Sequence, residues 1–224
     1  MRVLLQKLFL QKLAAKWFMQ KLTKQWTDNH LPTSLNIFYI ILKQTLNFDN
    51  SWSLFLDRDG VINEKLENDY VKSWDEFIFK HGALEAIAGL KKIFGRIFII
   101  TNQRGVGLMK MTAAELSSIH NKMLIAIEEA SGKIDKIYYC TDANVNSLYR
   151  KPNIGMGLLA KQDFPEIEFS KSIIVGDSKS DMEFGQNLGM KGVLICANAE
   201  DGLKNSSSSR FKSLYEFYET LKIG

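Results

Sequence analysis

The sequence predicts an α/β protein with a doubly wound (Rossmann-like) parallel sheet. From Trp52 onward, apolar runs of four to seven residues alternate with helical segments, which is the pattern of strands and helices in a parallel sheet. The main polar clusters of residues 52–198 also lie at or just after the ends of these runs. Ligands of such sheets bind beyond the carboxyl ends of the strands, so the position of the polar clusters also favours a parallel sheet.

The elements can be placed along the chain from these patterns. Strands are predicted at residues 53–56, 96–100, 134–140, 172–175 and 191–196, and helices at 83–94, 112–130, 153–162, 181–188 and 214–222. Thr112 caps the longest helix, and Glu115 three residues later completes a capping box. About 40 residues separate Asp59 from Thr101, and a loop and one helix account for most of them. No large cap domain is therefore expected.

Composition and charge narrow the class of protein. The chain has 224 residues, 46% of them hydrophobic and 24% charged, which is typical of a globular protein with one main core. The net charge of +4 is too small to require a nucleic-acid partner. No apolar run approaches the roughly 20 residues of a membrane-spanning helix. Because Cys140 and Cys196 lie far apart, no disulfide framework is indicated. We expect a cytoplasmic protein and a monomer.

The first 50 residues differ from the rest. Residues 1–27 carry six Lys or Arg side chains, and no acidic residue precedes Asp28. We predict a basic N-terminal extension over residues 1–50, helical or loosely ordered, followed by the α/β domain at 51–224. Membrane association of a basic amphipathic helix over residues 1–26 is the alternative. It is not favoured, because lysines interrupt the apolar stripe of that helix.

Two carboxylates follow the first predicted strand, where Asp57 and Asp59 are separated by one residue and Gly60 allows a sharp turn. An ionised carboxylate can attack an electrophile or bind a cation, and a protonated one can donate to a leaving group. The fourth strand ends at Asp177, with Asp181 close behind it. Converging carboxylates are typical of a magnesium site, because Mg²⁺ takes oxygen ligands.

Donors and cations follow the other strands. Thr101, Asn102 and Gln103 end the second strand, and hydroxyl and amide groups of this kind can bind phosphate oxygens. Arg150 and Lys151 place two adjacent cations after the third strand. Each motif has a simpler explanation as turn chemistry, a helix cap or a solvated face. Their joint occurrence at four strand ends favours a functional site.

Together these residues resemble the haloacid dehalogenase-like phosphatases. The likeness covers roughly residues 52–198 and rests on four ordered motifs: 55–61 (FLDRDGV), Thr101-Asn102, Lys151, and 176–181 with the pattern GDSxxD. Finer similarities at Asp69-Tyr70-Val71, Tyr138-Tyr139-Cys140 and Gly155-Met156 point to the branch of heptose 1,7-bisphosphate phosphatases and histidinol phosphatases, with the heptose enzymes the closer match.

The resemblance implies a role for each residue of the reaction. Asp57 would attack phosphorus and form an aspartyl-phosphate, and Asp59 would act first as general acid and then as general base. Thr101 and Lys151 would stabilise the phosphoryl group. The substrate implied is a small phosphorylated metabolite, D-glycero-D-manno-heptose 1,7-bisphosphate, which would lose its C7 phosphate in lipopolysaccharide biosynthesis. Histidinol phosphate or another small sugar phosphate is the alternative substrate.

The same resemblance implies a metal and a substrate set. Mg²⁺ would be bound by the Asp57 carboxylate, the Asp59 backbone carbonyl and Asp177, with Ser178 and Asp181 as outer support. The substrate would contact Asn102, Gln103 and Arg150, the last through its second phosphate. A catalytically silent binding protein of the same fold is the alternative class, and a lost nucleophile or acid would favour it. Asp57 and Asp59 are both present.

One segment departs from the family pattern. Many members of this branch carry a structural zinc loop with further Cys and His residues after the Tyr-Tyr-Cys motif. Here residues 141–149, which follow Cys140, contain neither Cys nor His. One thiolate cannot complete a four-ligand zinc site, so structural Zn²⁺ is not expected. Because this loop would overlie the site, its altered length leaves the preferred anomer of the substrate open.

The remaining polar and aromatic residues are given structural roles. His81 and His120 lie outside the motifs and are predicted to be surface or helix residues rather than catalysts. Phe77 and Phe79 are predicted to belong to the core. Residues 206–209 are predicted to form a polar loop.

Overall fold

A computed structural model describes residues 48–196 and 209–222 of the chain. The predicted extension at 1–50, including the alternative membrane helix at 1–26, lies outside the described residues except for its last three positions. The boundary between it and the α/β domain therefore stays a prediction. Within the described residues, no helix is both long enough and apolar enough to cross a membrane.

The described residues form strands and helices in alternation. The strands are β1 (Ser53–Leu56), β2 (Arg96–Asn102), β3 (Lys136–Cys140), β4 (Ser172–Gly176), β5 (Lys191–Ile195) and β6 (Ser209–Phe211). The α-helices are α1 (Ala83–Leu90), α2 (Arg104–Gly107), α3 (Ala113–Glu129), α4 (Gly155–Asp163), α5 (Lys179–Leu188) and α6 (Leu214–Lys222). The predicted elements are all present, and their bounds differ by at most four residues. The short strand β6 was not predicted. Its first residue, Ser209, belongs to the predicted polar loop at 206–209, and the other residues of that loop lie outside the described residues.

All six strands are parallel and lie in the order β3-β2-β1-β4-β5-β6. The first strand, β1, is central in the sheet; from it the chain winds outward through β2 and β3 and then crosses to β4 on the other side of β1. The direction of winding thus reverses beside β1, and ligands bind at such switch points. The predicted fold class is confirmed.

The central strand β1 is buried along its whole length because both faces of the sheet are covered. Leu54 and Leu56 pack into one buried cluster, and Phe55 packs into a second on the opposite face. Phe77 is buried in the first cluster, and Phe79 packs against it, as predicted. Between β1 and α1, residues 57–82 contain only two isolated β-bridges, so this segment forms no cap domain.

Helix α3 begins as predicted, since the Thr112 side chain accepts from the Glu115 amide while the Glu115 carboxylate accepts from the Thr112 amide. His120 was predicted to be a surface or helix residue, and it lies on this helix. Its side chain is buried, because this face of α3 packs against the core. His81 is exposed.

Candidate active site

A cavity of about 230 Å³ lies at the carboxyl ends of the central strands. Eight of the predicted site residues line it: Asp57, Asp59, Thr101, Asn102, Arg150, Lys151, Asp177 and Ser178. Parallel strands bring these residues together because their carboxyl ends all meet at one edge of the sheet. The other two predicted residues, Gln103 and Asp181, are buried beside the cavity-lining residues.

Asp57 and Lys151 form a buried ion pair at the floor of the cavity. The Lys151 Nζ atom lies 2.9 Å from Asp57 Oδ1 and 2.5 Å from Asp181 Oδ1, and it donates to the Ile100 carbonyl at 2.7 Å. Burial by itself would lower the pKa of Lys151, but the two carboxylates outweigh it and raise that pKa. Lys151 is therefore a permanently charged ammonium at this site.

The environment of Asp57 disfavours its ionised form. Burial raises the pKa of Asp57, Lys151 opposes this shift, and the Asp181 and Asp59 carboxylates add to it, with a net pKa of about 7. The Arg58 amide also donates to Asp57 Oδ1 at 2.8 Å. Since one lysine must neutralise two buried carboxylates, a second cation beside Asp57 would favour its ionised form.

Asn102 fixes the loop that carries Lys151. Its Oδ1 accepts from the Lys151 amide at 3.0 Å, and its Nδ2 donates to the Lys151 carbonyl at 3.2 Å. One side chain at the end of β2 thus satisfies both backbone groups of Lys151. This double contact positions the lysine against Asp57, and part of the Asn102 side chain still faces the cavity.

Asp59 is bound by three donors. Its Oδ1 accepts from Arg58 Nη2 and Asn63 Nδ2, both at 2.9 Å, and its Oδ2 accepts from Gln103 Nε2 at 2.8 Å. Burial would raise the pKa of Asp59, but Arg58 and the amide donors outweigh it and lower that pKa. In this arrangement Asp59 is ionised, and both of its carboxylate oxygens accept hydrogen bonds.

Gln103 lies beside the cavity, and its predicted contact with substrate stays a prediction. Its side chain is buried and donates through Nε2 to both Asp59 and Thr101 Oγ1, the latter at 2.9 Å. The chain turns into α2 directly after this residue, and the side chain remains beneath the strand ends. Gln103 therefore links two cavity-lining residues and does not line the cavity itself.

Three carboxylates are close enough to bind one metal ion. Oxygen atoms of Asp57, Asp177 and Asp181 all lie within 4.8 Å of one another. Asp177 Oδ1 is buried and has no hydrogen-bond partner among the described residues. Burial also raises the pKa of Asp177, although Lys65 opposes the shift. Hard oxygen donors with an unsatisfied member suit Mg²⁺, so the residues present fit this ion.

The first turn of α5 orients Asp181. Its Oδ2 accepts from the Ser178 amide at 3.0 Å and from the Ser178 hydroxyl at 2.5 Å. This capping arrangement uses one carboxylate oxygen and leaves Oδ1 directed at Lys151. Ser178 and Asp181 thus act as a unit.

Three contacting residues were missed by the sequence reasoning. Arg58 and Asn63 bind Asp59, and the Lys65 ammonium donates to Asp177 Oδ2 at 2.7 Å. Arg58 and Asn63 lie in the same short segment as Asp57 and Asp59. A charged residue between two carboxylates was the available signal for Arg58. Nothing in the sequence indicated Lys65, because its partner is 112 residues away.

Gly60 leads to a first testable prediction. Its φ is +91°, and a Cβ built there would lie 2.2 Å from Asp177 Oδ2. We expect Mg²⁺ to raise the melting temperature of the wild type, and Gly60→Ala should displace Asp177, lower stability and abolish this increase. Gly189→Ala is the matched control, since Gly189 has φ +76° but open space around it. The control should cost about 1 kcal/mol from backbone strain and retain the Mg²⁺ response. An equal Mg²⁺ response in both variants would contradict the assignment of Asp177.

The loop after β3 is closed by hydrogen bonds. The Ser147 hydroxyl donates to the Asp142 carboxylate, and the buried Cys140 Sγ lies 3.8 Å from Asp142 Oδ2. Arg104 Nε donates to the Ala143 carbonyl at 2.9 Å, which ties this loop to α2. Asn153 Nδ2 donates to the Ser147 carbonyl at 2.8 Å. Side-chain and backbone bonds thus order residues 141–149; that structural Zn²⁺ is not needed stays a prediction.

Fold and site together define the class of protein. A family model described as polynucleotide kinase 3 phosphatase matches residues 53–208. The chain belongs to the haloacid dehalogenase-like phosphatases, and it is a phosphomonoester hydrolase.

Similar proteins point to one group within this class. The D-glycero-alpha-D-manno-heptose-1,7-bisphosphate 7-phosphatase of Mycobacterium bovis is 35% identical over 172 residues, which cover 75% of this chain and 90% of the relative. The beta-anomer 7-phosphatase of Neisseria meningitidis is 36% identical over 146 residues, covering 63% and 75%. The crystal structure of the D,D-heptose 1,7-bisphosphate phosphatase of B. bronchiseptica, complexed with magnesium and phosphate, matches with a TM-score of 0.69 and 29% identity, covering 77% of this chain and 98% of that one.

Proposed function

We propose that this chain is a Mg²⁺-dependent phosphatase that removes the C7 phosphate of D-glycero-D-manno-heptose 1,7-bisphosphate through an aspartyl-phosphate intermediate. The observation that carries the proposal is the cavity in which Asp57, Asp59, Thr101 and Lys151 converge with a three-carboxylate cluster. The names of the similar proteins support the substrate. In this proposal the enzyme is cytoplasmic and supplies a heptose monophosphate for lipopolysaccharide biosynthesis.

Asp57 is the nucleophile of the proposed reaction. Its carboxylate oxygen attacks phosphorus, the bond from phosphorus to the sugar oxygen breaks, and the phosphoryl group is transferred to Asp57. Lys151, at 2.9 Å from Asp57 Oδ1, offers positive charge to the phosphoryl oxygens, and the Thr101 hydroxyl can donate to them. Mg²⁺ bound by Asp57 and Asp177 would neutralise charge on the phosphoryl group and favour the ionised form of Asp57.

Asp59 is the general acid and the general base of the proposed reaction. Because its donors lower its pKa, Asp59 is a carboxylate before substrate binds. An arriving phosphate places negative charge beside it and raises its affinity for a proton. The protonated acid then donates to the departing sugar oxygen, and the resulting carboxylate removes a proton from the water that hydrolyses the aspartyl-phosphate. One residue thus serves both half-reactions.

Arg150 is the proposed contact for the phosphate that is not transferred. Lys151 and Lys65, the two lysines of the cavity, are already paired with carboxylates. Arg150 also lines the cavity, and its Nη1 atom is buried without a hydrogen-bond partner among the described residues. A buried guanidinium nitrogen with no partner is suited to bind an anionic group.

A direct assay tests the proposed substrate. Purified protein with Mg²⁺ is incubated with the alpha and beta anomers of the heptose bisphosphate and, separately, with histidinol phosphate. Released phosphate is measured. We expect turnover of at least one heptose anomer, with the C1 phosphate retained. Turnover of histidinol phosphate alone would replace this proposal with the alternative substrate.

A second prediction tests Arg150. Arg150→Gln should lower kcat/KM for the bisphosphate by about 10- to 100-fold, the effect of losing a charge-assisted hydrogen bond. The same variant should change kcat/KM for heptose 7-phosphate by less than about threefold. Lys179→Gln is the control, because it removes an exposed positive charge that pairs with Glu183 at 3.0 Å. Equal losses on both substrates would contradict the role of Arg150.

A further inference from the structure

Arg58 is an unusual residue to find in the interior of a small enzyme. Its side chain is 1% exposed and is among the largest fully buried side chains of the described residues. A buried guanidinium requires hydrogen-bond acceptors, since its desolvation is costly. Arg58 Nη2 donates to Asp59 Oδ1 at 2.9 Å, and the ring of Phe77 lies 5.9 Å from its central carbon. The guanidinium thus binds Asp59, the proposed general acid and base.

The second contact of this guanidinium is with a histidine. Arg58 Nη1 lies 3.2 Å from His120 Nε2, and His120 is 5% exposed. Arginine can only donate, so His120 Nε2 must be the acceptor and the ring must be neutral with its proton on Nδ1. The ring of Tyr139 packs edge-on against His120, with centroids 5.3 Å apart.

We infer that His120 is a positioning residue of the proposed reaction, which orients Arg58 by accepting from Nη1 so that Nη2 is directed at Asp59. The inference rests on the proposed function, because it concerns the acid and base of that reaction. His120 does not line the cavity, and it acts through Arg58 alone. Helix α3 thereby contributes to the site through a residue outside the cavity.

The protonation state of His120 agrees with this role. Burial and the adjacent Arg58 lower the pKa of His120 to about 4, although Asp59 opposes them. The ring therefore stays neutral, and remains an acceptor, across the pH range in which the enzyme would work. A histidine in this state serves as a fixed hydrogen-bond acceptor and not as a proton carrier.

Removing His120, the acceptor for Arg58 Nη1, should slow protonation of the leaving oxygen more than the other chemical steps. Without His120, Arg58 Nη1 is buried with no partner, and the guanidinium can turn away from Asp59. Asn63 and Gln103 still bind Asp59, so its carboxylate remains in place but is poorly oriented. Proton donation to the leaving oxygen then slows. A substrate with a good leaving group, such as p-nitrophenyl phosphate, needs little protonation and should be affected less.

The test measures kcat/KM for the sugar phosphate and for p-nitrophenyl phosphate, since kcat/KM reports the steps up to the first bond cleavage. His120→Leu should lower kcat/KM for the sugar phosphate by about tenfold or more and that for p-nitrophenyl phosphate by less than about twofold. His120→Gln should restore most of the loss, because Gln Oε1 can accept where Nε2 accepted. Ile127→Ala is the control on α3, a buried core position that should lower the melting temperature and leave the substrate ratio unchanged.

Each outcome separates the inference from the proposed function. An equal loss on both substrates, no loss on either, or a His120→Gln variant as slow as His120→Leu would overturn the role of His120 while leaving an active phosphatase. A wild-type protein that hydrolyses neither substrate with Mg²⁺ would overturn the proposed function, and the inference with it.

Discussion

Asp57→Asn is expected to lower kcat for phosphate release by roughly 10⁴-fold or more, because the amide cannot form the aspartyl-phosphate. The fold should persist, since Asn has nearly the same shape and Lys151 keeps its contact with Asp181. Phosphate release and the circular dichroism spectrum are measured for both proteins. Substantial activity in the variant would mean that Asp57 is not the nucleophile. Background activity in both proteins, across a panel of phosphates, would favour a binding protein.

The same variant should be more stable than wild type in EDTA at pH 8. The folded-state pKa of Asp57 is raised from 3.8 to about 7, so ionising this group destabilises the fold progressively between these values and fully above pH 7. This increase in the pKa of Asp57 corresponds to a loss of at most about 4 kcal/mol in the free energy of unfolding. We expect a gain of about 2 kcal/mol at pH 8, because Lys151 loses one of its two carboxylate partners in the variant.

The pH dependence provides the control for this stability effect. At pH 4 the Asp57 side chain is protonated in the folded protein, so the gain from Asp57→Asn should nearly vanish. Asp75→Asn, at an exposed position, should change stability by less than about 0.5 kcal/mol at either pH. Urea denaturation midpoints measure both. A variant that is less stable than wild type at pH 8 would show that Lys151 fully compensates the charge of Asp57.

Lys151→Met is the second variant for which a large effect is expected. It leaves Asp57 and Asp181 buried without the ammonium that lies within 2.9 Å of each. Removing one partner of a buried ion pair costs about 3–5 kcal/mol, so urea denaturation at pH 8 should show a loss of that size. Activity should fall by roughly 10²- to 10³-fold, because the phosphoryl group loses a preorganised cation.

Lys136→Met is the matched control for this effect. Lys136 also pairs with a carboxylate, Asp163 Oδ2 at 2.8 Å, but its side chain is 48% exposed. An exposed pair contributes about 0–1 kcal/mol, so this variant should be nearly as stable as wild type. Similar losses in the two variants would show that Lys151 is not the counter-ion of two buried carboxylates.

Part of the site and of the fold is predictable because it depends on residues that lie close together in the sequence. Thr101 and Asn102 were expected at a strand end and lie there, and Thr112 with Glu115 forms the predicted cap. Local patterns suffice in these cases, since alternation and capping depend on neighbours within a few positions. The burial of His120 could not be predicted in this way, because its partner Arg58 lies 62 residues earlier.

The sequence by itself determined that Asp57, Asp59, Lys151 and Asp177 meet at one place. The reason is that parallel strands deliver the residues after them to the same edge of a sheet, whatever the length of the connections. Only the tertiary structure decided what each carboxylate does there. The pKa of Asp57 is raised and that of Asp59 is lowered, although the two are separated by one residue. Burial and the arrangement of charges set these values. Lys151 reaches Asp57 from a distant segment, and folding directs the neighbouring Arg58 at Asp59.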